Sequence, residues 1–197
     1  GLYKSTNGGE EWSKVLEISE NTGVYDLAFQ PGNPDVMYAT AHQRRRRGYT
    51  KINGGPESSV YKSTNGGTDW KKIISGLPEG HLGRVGLATA PSNKNMIYAI
   101  VEAQEDKGGF YKSTNMGESW QRINDYTSSG QYYTEIYCDP FDENIIYSMD
   151  TYSQVSKDGG KTWTKLSTKK RHVDDHALWI NPANTQHIKI GGDGGVY

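Results

Sequence analysis

The sequence predicts an all-β protein that forms a segment of a β-propeller, with four antiparallel strands in each blade. The pattern S-x-[N/D]-x-G-x-x-W, which we call the box, occurs four times, and its copies begin about 40 to 60 residues apart. Four of the five Trp residues occupy its last position. Between the boxes, short apolar segments alternate with turn residues, and no helical period is present. The boxes begin at Ser5, Ser63, Ser113 and Ser156.

The box has the chemistry of a tight turn. Gly8 and Gly9, or their equivalents, tolerate the positive φ that a hairpin needs, and the Ser and Asn or Asp oxygens accept hydrogen bonds from turn N–H groups. The Trp that follows can cover apolar area between neighbouring blades. We therefore interpret the box as structural and expect ligands to bind elsewhere.

Each box is followed by two strands that are joined at a turn containing Pro. Apolar, aromatic and β-branched residues on both sides of this turn favour strands. A third strand leads into each box, and the box Trp begins a fourth. Most of the variation in repeat length lies between the second and the third strand. The paired segments are 24–39, 85–99, 135–147 and 177–190.

The strand count predicts about three complete blades and two partial ones. Residues 1–3 have the pattern of a third strand, and residues 195–197 have the pattern of the equivalent strand in a later repeat. Four repeats could close a small ring in which the two partial blades complete each other. The resemblance described below implies rings with more blades, so we expect residues 1–197 to form a single segment of a larger propeller, whose remaining blades would be its partners.

Composition and charge exclude several classes of protein. The net charge of -1 is not the strongly positive charge expected of a nucleic-acid-binding chain. No apolar run approaches the roughly 20 residues that span a bilayer. Cys138 is the single cysteine, so an internal disulfide cannot form. The glycine-rich run 191–195 lacks the ligand period of a calcium loop. We expect no metal, no cofactor, no nucleic-acid partner and no membrane span.

Through its boxes the sequence resembles the Asp-box, or bacterial neuraminidase repeat, family of propellers, which includes sialidases, xyloglucan-degrading glycoside hydrolases and the sortilin ectodomain. It is most similar to bacterial sortilin-like and xyloglucanase-like propeller proteins, which are often labelled glycosyl hydrolases. This resemblance implies a secreted, periplasmic or extracellular protein. An F-R-I-P-like sialidase motif does not precede the first box. The stretches that carry the resemblance are A-H-Q-R-R-R-R-G (41–48), G-G-P-E-S-S-V-Y-K-S (54–63), G-R-V-G-L (83–87), Y-Y-T-E-I (132–136), D-H-A-L-W-I-N-P (175–182) and G-G-D-G-G (191–195).

Propeller topology assigns the loops to two faces. The loops that enter the innermost strands share one face with the variable connections, and the boxes lie on the opposite face. Scaffolds of this kind usually carry binding sites on their variable loops, so we expect ligands on the variable-loop face. Alignment of the repeats on their Pro residues places polar and aromatic side chains on this rim. They are Asp26, Arg84, Tyr132, Tyr133, Glu135, Asp174, Asp175 and His176.

The rim residues are of types that bind sugars or peptides, or that transfer protons. Asp26, Glu135 and Asp174 are the candidate catalytic acids. The other rim residues are candidates for ligand binding, because tyrosines stack on apolar faces and polar groups fix orientation. His176 lies on the same strand face as Asp174, with which it could form an acid–base pair. A solvated rim whose hydrogen bonds are satisfied internally is the alternative.

Four consecutive arginines, 44–47, form the only concentrated positive run and are expected in the longest loop. Arg44 and Arg45 are further candidates for ligand binding, because guanidinium groups bind oxyanions in a bidentate manner. A solvated loop, or contact with other blades, is the alternative. In the next variable loop, Glu102 is the residue that we expect to approach the rim.

The predicted function is that of a sortilin-like propeller module that binds or scaffolds a protein, peptide or glycan through its variable-loop face. The alternative is a xyloglucanase-like glycoside hydrolase that uses rim carboxylates. An inverting enzyme would hold two carboxyl groups roughly 6.5–9.5 Å apart, and a retaining enzyme about 5–5.5 Å apart. The sequence alone leaves both functions open.

Overall fold

The computed structural model describes residues 1–130 and 132–197. Eighteen β-strands make up the regular structure of these residues, and no helix occurs among them. The strands are β1 (Leu2–Lys4), β2 (Ser13–Leu16), β3 (Thr22–Gln30), β4 (Asn33–Arg47), β5 (Thr50–Asn53), β6 (Ser59–Ser63), β7 (Lys71–Lys72), β8 (Leu82–Ala90), β9 (Asn93–Ala103), β10 (Gly109–Ser113), β11 (Gln121–Asn124), β12 (Ile136–Cys138), β13 (Ile146–Ser148), β14 (Gln154–Ser156), β15 (Thr164–Lys165), β16 (Asp175–Ile180), β17 (Ile188–Gly192) and β18 (Gly195–Val196).

The strands form antiparallel sheets that are arranged as propeller blades. Blade A has the order β3-β4-β6-β7, blade B is β8-β9-β10-β11, and blade C is β12-β13-β14-β15. Two partial sheets flank them, β1-β2 before blade A and β16-β17-β18 after blade C. The prediction of an all-β propeller segment with three complete blades and two partial ones is confirmed.

Blade A carries a hairpin that the sequence analysis did not predict. The end of β4 pairs with β5, so that Arg44 lies opposite Asn53 and Arg45 lies opposite Ile52. The placement of the four arginines in a loop was therefore wrong. Pairing satisfies the backbone N–H and C=O groups of this long connection, and the Thr and Ile residues of β5 favour a strand.

Hydrophobic side chains fill each space between consecutive sheets. Every cluster combines residues of one sheet with residues of the next, so each sheet is stabilised mainly by its neighbours, as in other repeat proteins. In chain order, the four clusters include Leu16 with Tyr61, Val60 with Val85, Phe110 with Ile146, and Met149 with Leu178.

The boxes all fold into the same turn. In each box the Ser Oγ accepts a hydrogen bond of 2.8 or 2.9 Å from the N–H of the glycine four residues later. The Asn or Asp at the third position accepts the Ser O–H, and it also accepts the N–H of the residue four positions further along. The polar side chains of the box are thus used in holding its turn.

The box tryptophans differ in how much apolar area they cover. Trp120 is 6% exposed, and its indole N–H donates to the Ile73 carbonyl oxygen of blade A. Trp163 packs on blade B, where it stacks on Tyr126 at 4.1 Å between ring centroids. Trp12 belongs to the first partial sheet and is 62% exposed. Trp120 and Trp163 cover area between blades, as the sequence analysis expects.

Replacing Gly160 with Ala tests the packing between blades B and C. A Cβ at Gly160 would lie 2.1 Å from Cε1 of Phe110, and the backbone φ there is +87°. Gly159 is the matched control, because its φ of +73° is similar but its nearest neighbour lies at 3.3 Å. We expect Gly160→Ala to reduce the free energy of unfolding by about 1–3 kcal/mol more than Gly159→Ala does. Urea unfolding measures both, and equal losses would contradict this packing.

Candidate functional site

The innermost strands of the complete blades, β3, β8 and β12, lie against one another. Between them is an open cavity of about 260 Å³, and its lining includes Asp26, Glu135 and Tyr137. The fold therefore brings together two of the three candidate acids. No hydrogen bond or ion pair within residues 1–130 and 132–197 joins Asp174 to either of them.

Asp26 holds two blades together. Its Oδ2 accepts the Leu87 N–H of blade B at 2.8 Å, and its Oδ1 accepts the Leu27 N–H at 2.8 Å. Burial raises the pKa of Asp26, the two N–H groups oppose this rise, and the nearby Glu135 charge adds to it. Both oxygens of this carboxyl group are occupied by backbone donors.

Glu135 joins an aromatic and cationic group at the entrance to β12. The Tyr25 hydroxyl donates to its Oε1, and the Thr134 N–H donates to its Oε2 at 3.1 Å. The guanidinium of Arg84 lies over the Tyr25 ring at 4.1 Å. Burial, followed by the Glu135 hydrogen bond, raises the pKa of Tyr25 well above its ordinary value, so the phenol stays protonated and donates.

The sequence analysis did not single out Tyr25. The register of β3 with β4 shifts between Val24 and Asp26, so Tyr25 occupies a β-bulge. A bulge re-aims the side chain of the extra residue. Here it brings the Tyr25 hydroxyl to Glu135, which belongs to the blade after next.

The run Asp174 to His176 has three different environments. Asp175 is 1% exposed, and its oxygens accept from Arg171 Nη1 at 2.6 and 2.8 Å and from Ser153 Oγ at 2.6 Å. Asp174 has a φ of 77°, and its buried Oδ1 has no hydrogen-bond partner in the part of the chain that the structure describes. His176 lies 3.4 Å from the Asp193 carboxylate.

Tyr132, Tyr133 and His176 form an aromatic group that we call the aromatic ledge. The His176 ring stacks on Tyr133 with centroids 4.9 Å apart and an interplanar angle of 14°, and Tyr132 meets Tyr133 edge-on at 6.4 Å. Tyr133 is buried, whereas Tyr132 is 56% exposed. The structure therefore brings together three of the predicted ligand-binding residues, two of which are open to solvent.

A cleft of about 620 Å³, which we call the polar cleft, is lined by blade B and by the segment that leads from it to blade C. It adjoins the ledge at Ser128, whose Oγ donates to the Tyr133 carbonyl oxygen. Glu102, at the end of β9, also lines a second cavity of about 350 Å³ toward the β4–β5 hairpin. Its carboxylate accepts Asn53 Nδ2 at 2.7 and 2.8 Å and the Arg84 N–H at 3.0 Å. Polar residues of the cleft are Glu102, Asp106, Arg122, Asp125, Thr127, Ser128 and Thr134.

The two candidate arginines of the β4–β5 hairpin face opposite ways. Successive strand residues alternate in direction, so Arg44 shares a face with His42, and Arg45 points to the other side. The Nε of Arg44 is buried and has no hydrogen-bond partner among the described residues, whereas Arg45 is exposed. The sequence analysis did not name His42 and Lys51 as candidates, because the approach of Lys51 to this face depends on the unpredicted β4–β5 pairing and His42 lies outside the arginine run.

No group of three or more His, Cys, Asp or Glu side chains that could hold a metal ion occurs within residues 1–130 and 132–197. The same residues contain no helix long and apolar enough to cross a membrane.

The buried His42 makes stability depend on pH. Burial, and then the charges of Arg84, Arg44 and Lys51, lower the pKa of His42 from 6.5 to about 4. Between these two values the unfolded chain binds a proton that the folded protein does not bind, so the free energy of unfolding falls as the pH falls.

We expect protonation of His42 in the unfolded chain to lower the free energy of unfolding by about 3 kcal/mol at pH 4. Urea unfolding of the wild type and of His42→Gln at several pH values and constant ionic strength measures it. The variant should show a shallower pH dependence, and superimposable pH profiles would show that His42 does not cause the loss.

Comparisons with known proteins match most of the chain. The profile of the Sortilin-Vps10 family, described as sortilin, neurotensin receptor 3, matches residues 1–154, and that of the BNR/Asp-box repeat matches residues 154–165. A xyloglucanase from Paenibacillus sp is 28% identical over 188 residues, which cover 84% of this chain and 18% of the relative. A xyloglucanase from Hypocrea jecorina is 26% identical, and the match covers 73% of this chain and 17% of the relative.

Solved structures support the fold assignment. An ancestral GH74 enzyme superimposes with a TM-score of 0.66 at 22% identity, covering 98% of this chain and 27% of that enzyme. The GH74 enzyme of Niastella koreensis gives a TM-score of 0.64 at 22% identity and covers 100% of this chain and 32% of its own. The structure of YCF48 bound to D1 peptide gives a TM-score of 0.56 at 13% identity, and the match covers 90% of this chain and 50% of YCF48. The chain spans about a fifth of the length of the curated relatives it matches.

Proposed function

Since this chain belongs to the Sortilin-Vps10 family and is a propeller related to glycoside hydrolases, we propose that it binds a carbohydrate chain on its variable-loop face. The observation that carries the proposal is the aromatic ledge next to the polar cleft. The curated relatives are xyloglucanases by name, which makes a glucan the first ligand to test. A secreted, periplasmic or extracellular location accompanies this proposal.

The ledge and the cleft provide the two kinds of contact that a sugar needs. One face of a pyranose ring carries C–H groups and stacks on an aromatic ring, while the hydroxyl groups at its edge need hydrogen-bond partners. Tyr132 and His176 present exposed rings, and the cleft supplies hydroxyls and carboxylates at Thr127, Ser128 and Asp125. A chain that crosses the ledge would therefore place its hydroxyl groups along the cleft.

Binding explains the candidate acids better than catalysis does. Asp26 is occupied by two backbone N–H groups, and Asp174 lines neither the cavity at Asp26 nor the polar cleft. The Glu135 oxygens accept from Tyr25 and from the Thr134 backbone. These contacts support a rim that is built to hold its shape, with the exposed aromatic rings left for the ligand.

Truncation of the ledge tests the proposed function. We expect Tyr132→Ala and His176→Ala each to weaken binding of xyloglucan oligosaccharides about tenfold, because each loses a stacking surface worth about 1 kcal/mol or more. Phe141→Ala is the matched control: Phe141 is 69% exposed and lies in the β12–β13 turn on the face of the boxes. Isothermal titration calorimetry measures all three. A wild type that binds no glucan, or an equal loss in Phe141→Ala, would contradict glycan binding at the ledge.

Hydrolysis is a second candidate function because Asp26 and Glu135 line one cavity and the pKa of Asp26 is raised. Pairs of carboxyl groups in different environments provide the acid and the base, or the acid and the nucleophile, of glycoside hydrolases. This candidate requires that bound glucan be cleaved by water.

Reducing-end release from xyloglucan, measured for the wild type, Glu135→Gln and Asp26→Asn, tests hydrolysis. A hydrolase would lose at least about a hundredfold in rate in both variants, since each group takes part in proton transfer or attack. On the binding account we expect no release by the wild type. Release that both variants abolish would replace the binding proposal with the enzymatic one.

A further inference from the structure

Four basic side chains meet where the β4–β5 hairpin approaches β8. His42 and Arg44 alternate along β4 and therefore share one face of it, and Lys51, opposite Arg46 in β5, lies on this same face. Arg84 stands at the start of β8, beside the same hairpin. We call His42, Arg44, Lys51 and Arg84 the basic cluster.

Glu102 connects the hairpin to β8. Asn53 lies opposite Arg44 in the hairpin and donates its Nδ2 hydrogens to the Glu102 carboxylate at 2.7 and 2.8 Å. The Arg84 backbone N–H donates to this carboxylate as well, at 3.0 Å. The face that carries the basic cluster is thus fixed against blade B.

Inside the basic cluster, side-chain nitrogen atoms are buried without hydrogen-bond partners. Nε2 of His42, Nε of Arg44, Nζ of Lys51 and Nε of Arg84 have no hydrogen-bond partner within residues 1–130 and 132–197. None of the ion pairs in this part of the chain involves any of the four side chains. The side chains of Arg44, Lys51 and Arg84 are partly exposed as wholes, although these nitrogen atoms are buried.

An arrangement of this kind is unfavourable without a counter-charge. Buried polar atoms cost free energy when they lack partners, and like charges held together repel one another. The field at His42 shows the repulsion, because the three neighbouring cations add to burial in lowering the pKa of its ring to about 4. Proteins retain such unsatisfied groups where a ligand completes them.

We propose that the basic cluster binds the oxyanion substituent of an acidic sugar residue, a carboxylate of a uronic acid or a sulfate ester. The Arg44 and Arg84 guanidinium groups offer the planar donor fork that matches such anions, and the Lys51 ammonium adds a point charge. The carrier chain rests on the proposed function, since Glu102 lines the polar cleft on one side and bonds to the cluster on the other. A glycan in the cleft would bring an acidic substituent to the cluster.

Titration with free glucuronate and with sodium sulfate at low ionic strength tests the anion site. We expect both to bind the wild type, and Arg44→Gln to weaken each at least tenfold. Arg47→Gln is the matched control, because it removes the same charge from the opposite face of the hairpin and should change the affinity less than twofold. Absence of anion binding by the wild type, or equal losses in the two variants, would overturn the proposal.

Thermal unfolding supplies a readout that does not depend on affinity. Removing a repelling, unpaired charge should leave Arg44→Gln at least as stable as the wild type, and glucuronate should raise the Tm of the wild type but not that of the variant. A variant that is less stable than the wild type would mean that the cluster is satisfied within the protein, which also overturns the proposal.

Oligosaccharides separate this inference from the proposed function. A xyloglucan oligosaccharide tests the ledge, and a glucuronate-bearing oligosaccharide of equal length tests the cluster.

Binding of free anions and of the acidic oligosaccharide without binding of the neutral one would uphold the anion site and reject neutral glucan binding. Equal affinity for the two oligosaccharides, unchanged in Arg44→Gln, would reject the anion site and leave the ledge intact. Binding of free anions alone would show that no glycan carries the anion, and would overturn the assignment to a sugar.

Discussion

The packing of each sheet on the next is the interaction on which the rest of this structure depends. The blades are too thin to bury a core of their own, so large side chains such as Tyr38, Tyr98 and Phe110 are fully enclosed only because another sheet covers them. The boxes serve this packing: Gly160, in the box of blade C, leaves room for the Phe110 ring of blade B. The packing of blade A on blade B brings their innermost strands close enough for Asp26 to accept the Leu87 N–H.

The polar side chains of the box turns differ from those of the variable-loop face in how their hydrogen bonds are used. At the boxes, each Ser and each Asn or Asp has its partners within its own turn. On the variable-loop face, Asp26 and Asp175 are equally well satisfied, and their role is to fix neighbouring elements. Within residues 1–130 and 132–197, the atoms that lack partners there include those of the basic cluster, the Asp174 Oδ1, the Thr134 Oγ1 and the Arg171 Nη2, and the aromatic ledge presents exposed rings. The proposed ligand contacts belong to the second set.

Local chemistry made the fold predictable. The box is a short-range pattern, and four copies at a propeller-like period define the strand count without knowledge of long-range contacts. The sequence grouped Tyr132, Tyr133 and His176 on one face, and these three side chains do meet. What the sequence could not show depends on tertiary contacts. The Tyr25–Glu135 and Asn53–Glu102 hydrogen bonds each join residues far apart in the chain, whose pairing no local pattern specifies.

Hydrogen–deuterium exchange of the chain, with and without saturating xyloglucan oligosaccharide, tests most directly whether ligands bind on the variable-loop face. The account predicts slower exchange in residues 100–108, 127–130 and 132–134 and in the segment before β16, with the four box turns unchanged. Protection confined to the box turns, or to the outer strands β7 and β15, would place binding elsewhere and contradict the account.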